Sequence, residues 1–516
     1  MTISKFFTQS AALFIMGGSI FLVSCSDKNV EIPMNPLHNV NSNDGGKRVT
    51  SEEIYLANQF ASEILSSYYY WNEQIEKDLS KLDPNTNQDP ISTVSEIKYH
   101  EGDKVIDKWT SLIQNMSHFK EGVSGINTTY GFQPVSYLLK DDSNECVSAI
   151  AYVYKNSPAA RAGLKRGDII YKINGEKLTT DNLSTLFESS QITLSLAKLD
   201  VSKGKRVITP TGKNVQLVAI QMYEDPILLD SIYEIDNKKV GYLAYSSFDL
   251  NSIPKLIDIS KKFKARGVKE LILDFRYNGG GYVITENVMA SMYAPKQAVE
   301  TQEVFEKELF NKNMTELNKK DGSNGETRFK TDYKYKDTNG KLINISTRDA
   351  NVGIEKVYGL ISKNSASASE ALLGGLMPYM DVELIGQPSH GKYCTGWMIS
   401  AEDAYKKVPE PIKDWGIYVM VSVYQNAAGK TPCMPDGLQP DVKAADDPLF
   451  PTLLGDVNEA MLKVALMRAG KKYEKTATRS GEMTNTMKMV EGMHSAFFGK
   501  RILIPDEKFM SNNKLE

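Results

Sequence analysis

The sequence has 516 residues, with 61 lysines and arginines against 64 aspartates and glutamates and a formal net charge of −3. This length predicts roughly three domains. The near-neutral charge, without a basic stripe or an acidic tail, gives no indication of nucleic-acid binding or of a long disordered segment. After the N-terminal region, no apolar run is long enough to cross a membrane.

The N-terminus has the pattern of an export signal. Lys5 precedes an apolar or small-residue stretch from Ala11 to Val23, which is too short for a spanning helix and leads to Cys25. The ending resembles a bacterial lipobox, so we expect residues 1–24 to be removed and Cys25 to be lipidated; an uncleaved anchor is the alternative. Residues 25–50 are predicted to be a flexible tether. The expected location is the bacterial cell envelope, periplasm-facing or at the cell surface, with the outer membrane favoured.

Residues 51–122 are predicted to be a helical region. Apolar residues recur every three or four positions over 51–75, which indicates an amphipathic helix capped by Thr50 or Ser51. A second apolar cluster, from Trp109 to Met116, predicts another short helix. We expect this region to pack against the body of the protein.

A β-rich module is predicted over residues 123–220. From Asn156 the sequence reads as a short helix ending at Gly163, a glycine–aspartate turn, an apolar strand and an Asn174-Gly175 hairpin turn. This stretch resembles a PDZ domain, although a generic β-hairpin domain is an alternative. The resemblance implies that the loop Tyr130-Gly131-Phe132 holds a free C-terminal carboxylate, and that an extended peptide adds to a sheet edge.

An α/β domain is predicted over residues 221–475. Strands at 239–245 and 270–275 flank a helix at 253–265, which makes a β-α-β unit. The second strand continues into Tyr277-Asn278-Gly279-Gly280-Gly281. A glycine-rich turn lets backbone N–H groups point into a site, as an oxyanion hole requires. A plain strand-to-helix turn is the alternative.

A serine run follows the next predicted strand, at 357–361. It reads Ser365-Ala366-Ser367-Ala368-Ser369-Glu370, and His390-Gly391-Lys392 stands downstream. A serine needs a neighbouring base to become a nucleophile, and a lysine acts as a base only when burial keeps it uncharged. Ordinary helix starts also carry such runs. Further strands are predicted at 382–385 and 416–424, and further helices at 369–377 and 457–469.

Together, the glycine turn, the serine run and the lysine resemble the carboxyl-terminal processing (tail-specific) serine peptidase family. Its motifs are Asp-Leu-Arg-x-Asn-x-Gly-Gly, Ser-Ala-Ser-Ala-Ser-Glu and Gly-Lys. The resemblance implies a crotonase-like α/β peptidase domain within an α+β multidomain chain. Ser367 is then the nucleophile and Lys392 the base, and Ala368 donates one oxyanion N–H. Gly280 fits best as the second donor, with Gly279 as the alternative.

Other positions either have two possible roles or differ from the family pattern. Glu370 is expected either to hold the lysine amine or to cap the following helix. Many family members carry a glutamine four residues after the lysine, where this chain has Gly396. A charged stretch at about 302–348 is predicted to be an insertion, as a hairpin or a flap over the cleft. Residues 476–516 are predicted to be a tail or a packing extension.

The cysteines and histidines suggest no metal chemistry. Besides Cys25 the chain has Cys146, Cys394 and Cys433, which permit one disulfide, with a Cys394–Cys433 bridge as one option. Scattered cysteines and the lack of a His-Glu-x-x-His sequence predict no metal and no cofactor. His390 is predicted to be a loop residue, because the resembled family does not use that position.

The predicted function is an exported, lipid-anchored serine endopeptidase. Its PDZ domain would capture protein or peptide substrates by their free C-termini, its lipid would contact a membrane, and nucleic acid is not an expected partner. Two alternatives keep the same fold. One is a catalytically degenerate protein that binds peptide or lipid, and the other is an anchored scaffold in which only the PDZ domain is active.

Overall fold

The computed structural model describes residues 50–140, 143–202, 205–320, 322–337, 340–470, 487–490, 500–505 and 507–515. The predicted signal peptide, Cys25 and the tether up to residue 49 fall outside these ranges. Within them, no helix combines the length and the apolar composition that crossing a bilayer would require.

The N-terminal region is helical with short strands. Its elements are α1 (Glu52–Tyr68), a 3-10 helix (Asp78–Leu82), α2 (Pro90–Ile97), β1 (His100–Glu101), β2 (Lys104–Val105), β3 (Ser111–Ile113) and α3 (Met116–Val123). Helix α1 begins as predicted, because Ser51 Oγ accepts a hydrogen bond from the Ile54 backbone at 3.2 Å. The helix predicted from Trp109 to Met116 is wrong except for its last residue, because α3 begins only at Met116. Ser111–Ile113 is a strand there, because it pairs with residues 416–418 at a sheet.

The middle of the chain forms a β-domain, residues 126–223. Its elements are β4 (Ile126–Thr129), β5 (Phe132–Leu138), β6 (Cys146–Val153), α4 (Pro158–Arg161), β7 (Ile169–Ile173), β8 (Glu176–Lys177), α5 (Thr185–Glu188), β9 (Gln191–Ser202), β10 (Lys205–Val218) and β11 (Ile220–Tyr223). The main sheet has the order β10-β9-β7-β6-β5, with β8 on β7. The predicted hairpin turn is confirmed, since Asn174 and Gly175 have φ of 52° and 87°.

The α/β domain occupies residues 227–469. Its elements are β12 (Ile227–Ile235), β13 (Lys238–Tyr245), α6 (Ile253–Ala265), β14 (Glu270–Asp274), β15 (Gly281–Tyr282), α7 (Val283–Tyr293), α8 (Lys296–Glu300), β16 (Val304–Phe310), α9 (Lys312–Lys320), β17 (Glu326–Arg328), β18 (Asp332–Lys336), β19 (Leu342–Ser346), β20 (Lys356–Ile361), α10 (Ala368–Leu376), β21 (Asp381–Gly386), β22 (Cys394–Ser400), α11 (Ala401–Ala404), a 3-10 helix (Glu410–Ile412), β23 (Gly416–Asn426), β24 (Val442–Lys443) and α12 (Ala460–Ala469). The predicted β-α-β unit is confirmed as β13-α6-β14.

The first sheet of this domain has the order β12-β13-β14-β20-β21-β24. Its strands run parallel from β13 onward, whereas β12 is antiparallel to β13. Both faces are covered: Leu271 and Leu273 of β14 point into the main core, and Ile272 packs with the residues of α12. This alternation follows from the two-residue period of a strand, and it explains why β14 is a continuous apolar run.

The second sheet includes a strand from the C-terminal segment. That segment contributes β25 (Arg501–Ile502) and α13 (Glu507–Asn512). The strand order is β15-β25-β22-β23-β16-β17, with β3 added to β23. The described parts of residues 476–516 therefore pack onto the fold, in agreement with a packing extension. Residues 487–490 also bind the open edge of β5, where Leu138 N donates to Lys488 O at 2.8 Å.

The predicted insertion at 302–348 is only partly a hairpin. Strands β18 and β19 form one, but β16 is a strand of the second sheet and carries the buried side chains of Glu306 and Glu308. Tyr333 of the hairpin is buried and its hydroxyl donates to Asn287 O of α7 at 2.8 Å. This hairpin therefore packs on α7.

Buried ion pairs join the β-domain to the α/β domain. Arg166 donates to Asp446 at 2.6 Å and to the Tyr277 hydroxyl at 2.7 Å. Asp446 also accepts from Arg276 at 2.9 Å, and Arg276 pairs with Glu459 at 2.6 Å. Since Arg276 and Tyr277 precede the glycine turn, this cluster ties the β-domain to the base of that turn.

Candidate active site

The glycine turn and the serine run meet at the carboxyl edge of the first sheet. Strands β14 and β20 are parallel neighbours, so the segments that follow them emerge side by side. Asn278 O accepts from Ala366 N at 3.0 Å and from Ser369 Oγ at 3.0 Å. Ser365 Oγ donates to Phe275 O at 2.7 Å. Side chains of the serine run thus bind the two segments to each other.

Ser367 differs from the serines on either side of it. The hydroxyls of Ser365 and Ser369 donate hydrogen bonds to backbone carbonyls. Ser367 Oγ, by contrast, is buried and has no hydrogen-bond partner in the described part of the chain. Its backbone has φ 66° and ψ −116°, a conformation that is costly for any residue other than glycine. Strain of this kind persists where the surroundings enforce it, often at active sites. Ser367 also directly precedes the first residue of α10.

The glycine turn allows the close approach to Ser367. A Cβ atom added to Gly280 would lie 2.7 Å from Ser367 Cβ, and one added to Gly281 would lie 2.3 Å from Phe248 O. Their φ angles are 106° and 142°. Both positions therefore require glycine, for the room as well as for the backbone conformation.

Lys392 lies in a pocket of aromatic side chains. Its amine is fully buried, 5.0 Å from the ring centre of Trp109 and 5.1 Å from that of Tyr418, and it donates to the Tyr418 hydroxyl at 3.0 Å. Burial lowers the pKa of Lys392 from 10.5 to about 7. Nearby Lys500 and Arg501 also lower this pKa, while Cys394 and Asp107 raise it. A substantial fraction of the amine is therefore uncharged at neutral pH.

The Glu370 carboxylate connects the serine to the lysine through their backbones. Its Oε2 accepts from Ser367 N at 2.7 Å and from Lys392 N at 2.9 Å, and Oε1 accepts from Ser389 Oγ and Gly391 N. Burial raises the pKa of Glu370 to about 7, whereas the four donors lower it. Of the two predicted roles, capping of α10 is the one seen. The amine bonds Tyr418, so Glu370 holds the Lys392 backbone instead.

Ser367 Oγ and Lys392 Nζ are not hydrogen-bonded to each other, because Ser367 Oγ has no partner among the described residues. Their main chains are nevertheless held together by a single carboxylate oxygen. Catalytic hydrogen bonds are often long in a structure without substrate and shorten on binding.

Two backbone N–H groups beside Ser367 have no acceptor among the described residues, those of Ala368 and Gly279. The N–H of Gly280, by contrast, donates to Asn278 Oδ1 at 2.9 Å. Since the Gly280 N–H is already engaged within the turn, Gly279, the alternative that the sequence left open, becomes the candidate for the second oxyanion donor. The N-terminus of α10 adds its dipole to the same place.

Two protein-family models match parts of the chain. Residues 239–444 match the model of peptidase family S41, and residues 150–198 match the model of the PDZ domain. The chain contains a peptidase family S41 domain and a PDZ domain. The matched S41 range includes the glycine turn, Ser367, Glu370 and Lys392, and the PDZ range includes the Asn174-Gly175 turn.

The curated relatives are distant and are matched over about half of this chain. The chain is 24% identical over 240 residues to the carboxy-terminal processing protease CtpA of Bacillus subtilis, covering 46% of this chain and 43% of that protein. It is 24% identical over 280 residues to a protein of Staphylococcus aureus named "Probable CtpA-like serine protease", covering 53% and 46%. The chain thus spans less than half the length of these curated relatives.

A solved structure supports the fold. The crystal structure of a Bacteroides fragilis protein assigned to the S41 proteases is similar with a TM-score of 0.61 and 22% identity. The match covers 79% of this chain and 96% of that one. The predicted α+β multidomain architecture, with a PDZ domain and an S41 peptidase domain, is confirmed.

The predicted peptide-binding loop of the PDZ domain precedes its edge strand β5. Gly131 has φ 78°, and a Cβ there would lie 2.1 Å from Ser157 Cβ. Its N–H donates to Thr129 Oγ1 at 3.0 Å. The rings of Tyr130 and Phe132 stack 6.3 Å apart within the domain core. The loop thus has the expected place, and carboxylate binding by it stays a prediction.

The cysteines do not form the bridge considered from the sequence. Cys146, Cys394 and Cys433 are all free and buried. Cys394 Sγ contacts Met420 Sδ at 3.2 Å, and Cys433 shares a hydrogen bond with the Tyr424 hydroxyl at 3.0 Å. His390 lies in the loop before Lys392, with its ring 6.2 Å from that of Trp109.

Sequence reasoning missed two residues that organise the site. The Asn278 carbonyl joins the glycine turn to the serine run, while its side chain accepts from Gly280 N and donates to Tyr245 O. Tyr418 holds the lysine amine. Asn278 stands inside a motif that the family resemblance had already marked, so its role was open to prediction. For Tyr418 the only signal was indirect, the glycine at position 396.

Proposed function

We propose that this chain is a serine endopeptidase of the tail-specific type, in which Ser367 is the nucleophile and Lys392 the general base. The observation that carries this proposal is a fully buried amine with a neutral form available near pH 7, on a residue whose backbone shares the Glu370 carboxylate with that of Ser367. The Ser367 hydroxyl is itself buried and has no partner among the described residues. A buried lysine costs folding free energy, and a protein that only binds peptide gains nothing from it.

The chemistry follows from these positions. Ser367 Oγ attacks a peptide carbonyl carbon while its proton passes to the neutral amine of Lys392. The backbone N–H groups of Ala368 and Gly279 donate to the oxyanion that forms. The lysine ammonium then gives its proton to the leaving amine, the C–N bond breaks, and an acyl-enzyme remains. Water, deprotonated by Lys392, hydrolyses the ester and frees Ser367.

Substrate capture is assigned to the PDZ domain. Strand β5 pairs with β6 on one side, and among the described residues its other edge is bonded by 487–490 from Ser136 to Leu138. The start of β5, next to the Tyr130-Gly131-Phe132 loop, is the segment to which an extended C-terminal tail would add. Protein or peptide substrates with free C-termini are the partners that this arrangement supports.

Export and lipid anchoring complete the proposal. The apolar stretch from Ala11 to Val23 and the lipobox-like ending at Cys25 support cleavage, lipidation and attachment to the bacterial cell envelope. Metabolic labelling of the full-length chain with palmitate tests this, with Cys25→Ser as the control that should lose the label.

Digestion of an unfolded test protein examines the enzymatic proposal. Reduced, alkylated casein extended by an apolar C-terminal segment is incubated with wild type, Ser367→Ala and Lys392→Ala, and the same protein with an amidated C-terminus is the matched control. We expect cleavage by wild type alone, and slower cleavage of the amidated form. Tail binding without cleavage by wild type would favour the binding-protein alternative instead.

A further inference from the structure

The Tyr418 ring lies against position 396, where this chain has glycine and many members of the resembled family carry a glutamine. Gly396 and Tyr418 lie on the paired strands β22 and β23. A Cβ atom added to Gly396 would lie 2.5 Å from Tyr418 Cε2 and 2.5 Å from Tyr418 Cζ. The tyrosine ring therefore fills the position from which a side chain at 396 would extend, and only glycine leaves room for it.

The Tyr418 hydroxyl has a fixed orientation. It donates its single hydrogen to the carbonyl oxygen of Arg501 at 2.9 Å, and it accepts from the Arg501 backbone N–H at 3.0 Å. The third bond is accepted from Lys392 Nζ at 3.0 Å. Because its hydrogen is already donated, the hydroxyl acts toward the amine as an acceptor only.

We propose that Tyr418 is the positioning residue of the base: its hydroxyl binds one N–H of the Lys392 amine and so leaves the nitrogen lone pair to receive the proton of Ser367. This inference rests on the proposed function and deepens it. A neutral amine has two N–H groups and one lone pair, and a hydroxyl that could donate would compete for that lone pair. Arg501 removes this competition by accepting the hydroxyl hydrogen.

The C-terminal segment is thereby part of the site. The guanidinium of Arg501 is completely buried and pairs with Glu286 at 3.1 Å, Glu306 at 2.5 Å and Glu308 at 2.5 Å. These three buried carboxylates fix the side chain, and β25 pairs with β15 and β22 on either side. Arg501, whose backbone orients the Tyr418 hydroxyl, is therefore held in place both by its side-chain ion pairs and by the strand pairing of β25.

The test measures how fast a fluorophosphonate labels Ser367 at a series of pH values. Tyr418→Phe keeps the ring over Lys392 and removes only the hydroxyl. We expect the maximal labelling rate to fall about 100-fold, as for a misplaced catalytic group. The pH midpoint should also move to lower pH, because an acceptor that stabilises the ammonium is gone. The groups that face Lys392 from neighbouring elements, Lys500, Asp107, Arg501 and Cys394, stay unchanged.

Tyr293→Phe is the matched control. Tyr293 is also fully buried and loses one hydrogen bond, from Ser260 Oγ at 3.2 Å, away from the site. Its labelling rate and pH midpoint should equal those of wild type. A Tyr418→Phe protein with wild-type rate and midpoint would overturn the positioning role while leaving the proposed function standing. Absence of any labelling in wild type would refute the proposed function itself, and this inference with it.

A second variant pair covers the case in which Tyr418→Phe folds poorly. Tyr418→Ala removes the ring next to position 396, which leaves the flexible end of Met420, 2.5 Å from a Cβ there, to move aside, and adding Gly396→Gln supplies a new polar group. We expect the double variant to label about tenfold faster than Tyr418→Ala alone, since a positioned partner for the amine is restored. Equal rates in the two proteins would contradict a positioning role, because packing alone would not discriminate between them.

Discussion

Replacing the base with an apolar side chain of similar length should stabilise the protein while it abolishes activity. Burial lowers the pKa of Lys392 from 10.5 to about 7, and at 1.36 kcal/mol for each pKa unit this corresponds to about 5 kcal/mol of unfavourable free energy near neutral pH. Lys392→Met removes the ionisable group and keeps the aliphatic stem against Trp109. We expect its free energy of unfolding at pH 7 to exceed that of wild type by about 2 to 5 kcal/mol.

The sign of the pH dependence makes this prediction specific. Between about pH 7 and 10 the unfolded chain keeps the lysine proton that the folded chain has released, so the stability of wild type rises with pH. Below pH 7 Lys392 is protonated in both the folded and the unfolded state of wild type, and the free-energy cost of burying it is then greatest. The advantage of Lys392→Met should therefore be largest near pH 6 and should shrink toward pH 10.

Urea unfolding followed by tryptophan fluorescence measures the effect, because all four tryptophans lie outside the β-domain. The exposed Lys261→Met variant is the control, with a small effect that does not depend on pH. A Lys392→Met protein less stable than wild type at pH 7, or a difference that stays constant from pH 7 to 10, would refute the assignment of a buried neutral base.

Three further predictions concern single side chains. Ser367→Ala should abolish labelling and change the free energy of unfolding by less than about 1 kcal/mol, because Ser367 Oγ has no partner among the described residues; a larger loss in thermal unfolding would contradict this. Glu370→Gln should slow labelling about 100-fold, since an amide cannot accept all four hydrogen bonds, and a rate near that of wild type would remove its positioning role. Arg501→Met should cost about 3 to 5 kcal/mol in urea unfolding at pH 8, because it leaves three carboxylates buried without a cation. That loss should lessen at pH 5, because burial raises the pKa of Glu286 and of Glu306 and favours their protonated, neutral forms there; a loss independent of pH would contradict this.

Local patterns were sufficient for the elements that carry the motifs. The apolar run of β14, the period of α6 and the Asn174-Gly175 turn each follow from nearest neighbours along the chain, and each was found where expected. The start of α10 after the serine run was likewise a local signal, whereas the choice of Ser367 as nucleophile needed the resemblance to the family motif as well. Short-range rules fail where a distant strand decides, as at Ser111–Ile113, which became a strand only through pairing with β23.

The organisation around Lys392 depends on contacts between segments far apart in sequence. Tyr418 and Arg501 come from different strands, and neither has a local signature of function. Likewise, Glu306 and Glu308 stand in a charged stretch that suggests a solvated insertion, yet both side chains are buried because Arg501 pairs with them. Charge on its own could not distinguish a surface loop from a strand whose charges are neutralised by a partner about two hundred residues away.

The most direct test of the Ser–Lys assignment is the pH dependence of fluorophosphonate labelling, with the modified residue located by mass spectrometry. A single adduct on Ser367, formed at a rate that rises through a midpoint near pH 7 in wild type and is lost in Lys392→Met, is the predicted result. An adduct on another residue, or equal labelling rates of wild type and Lys392→Met across that pH range, would contradict it.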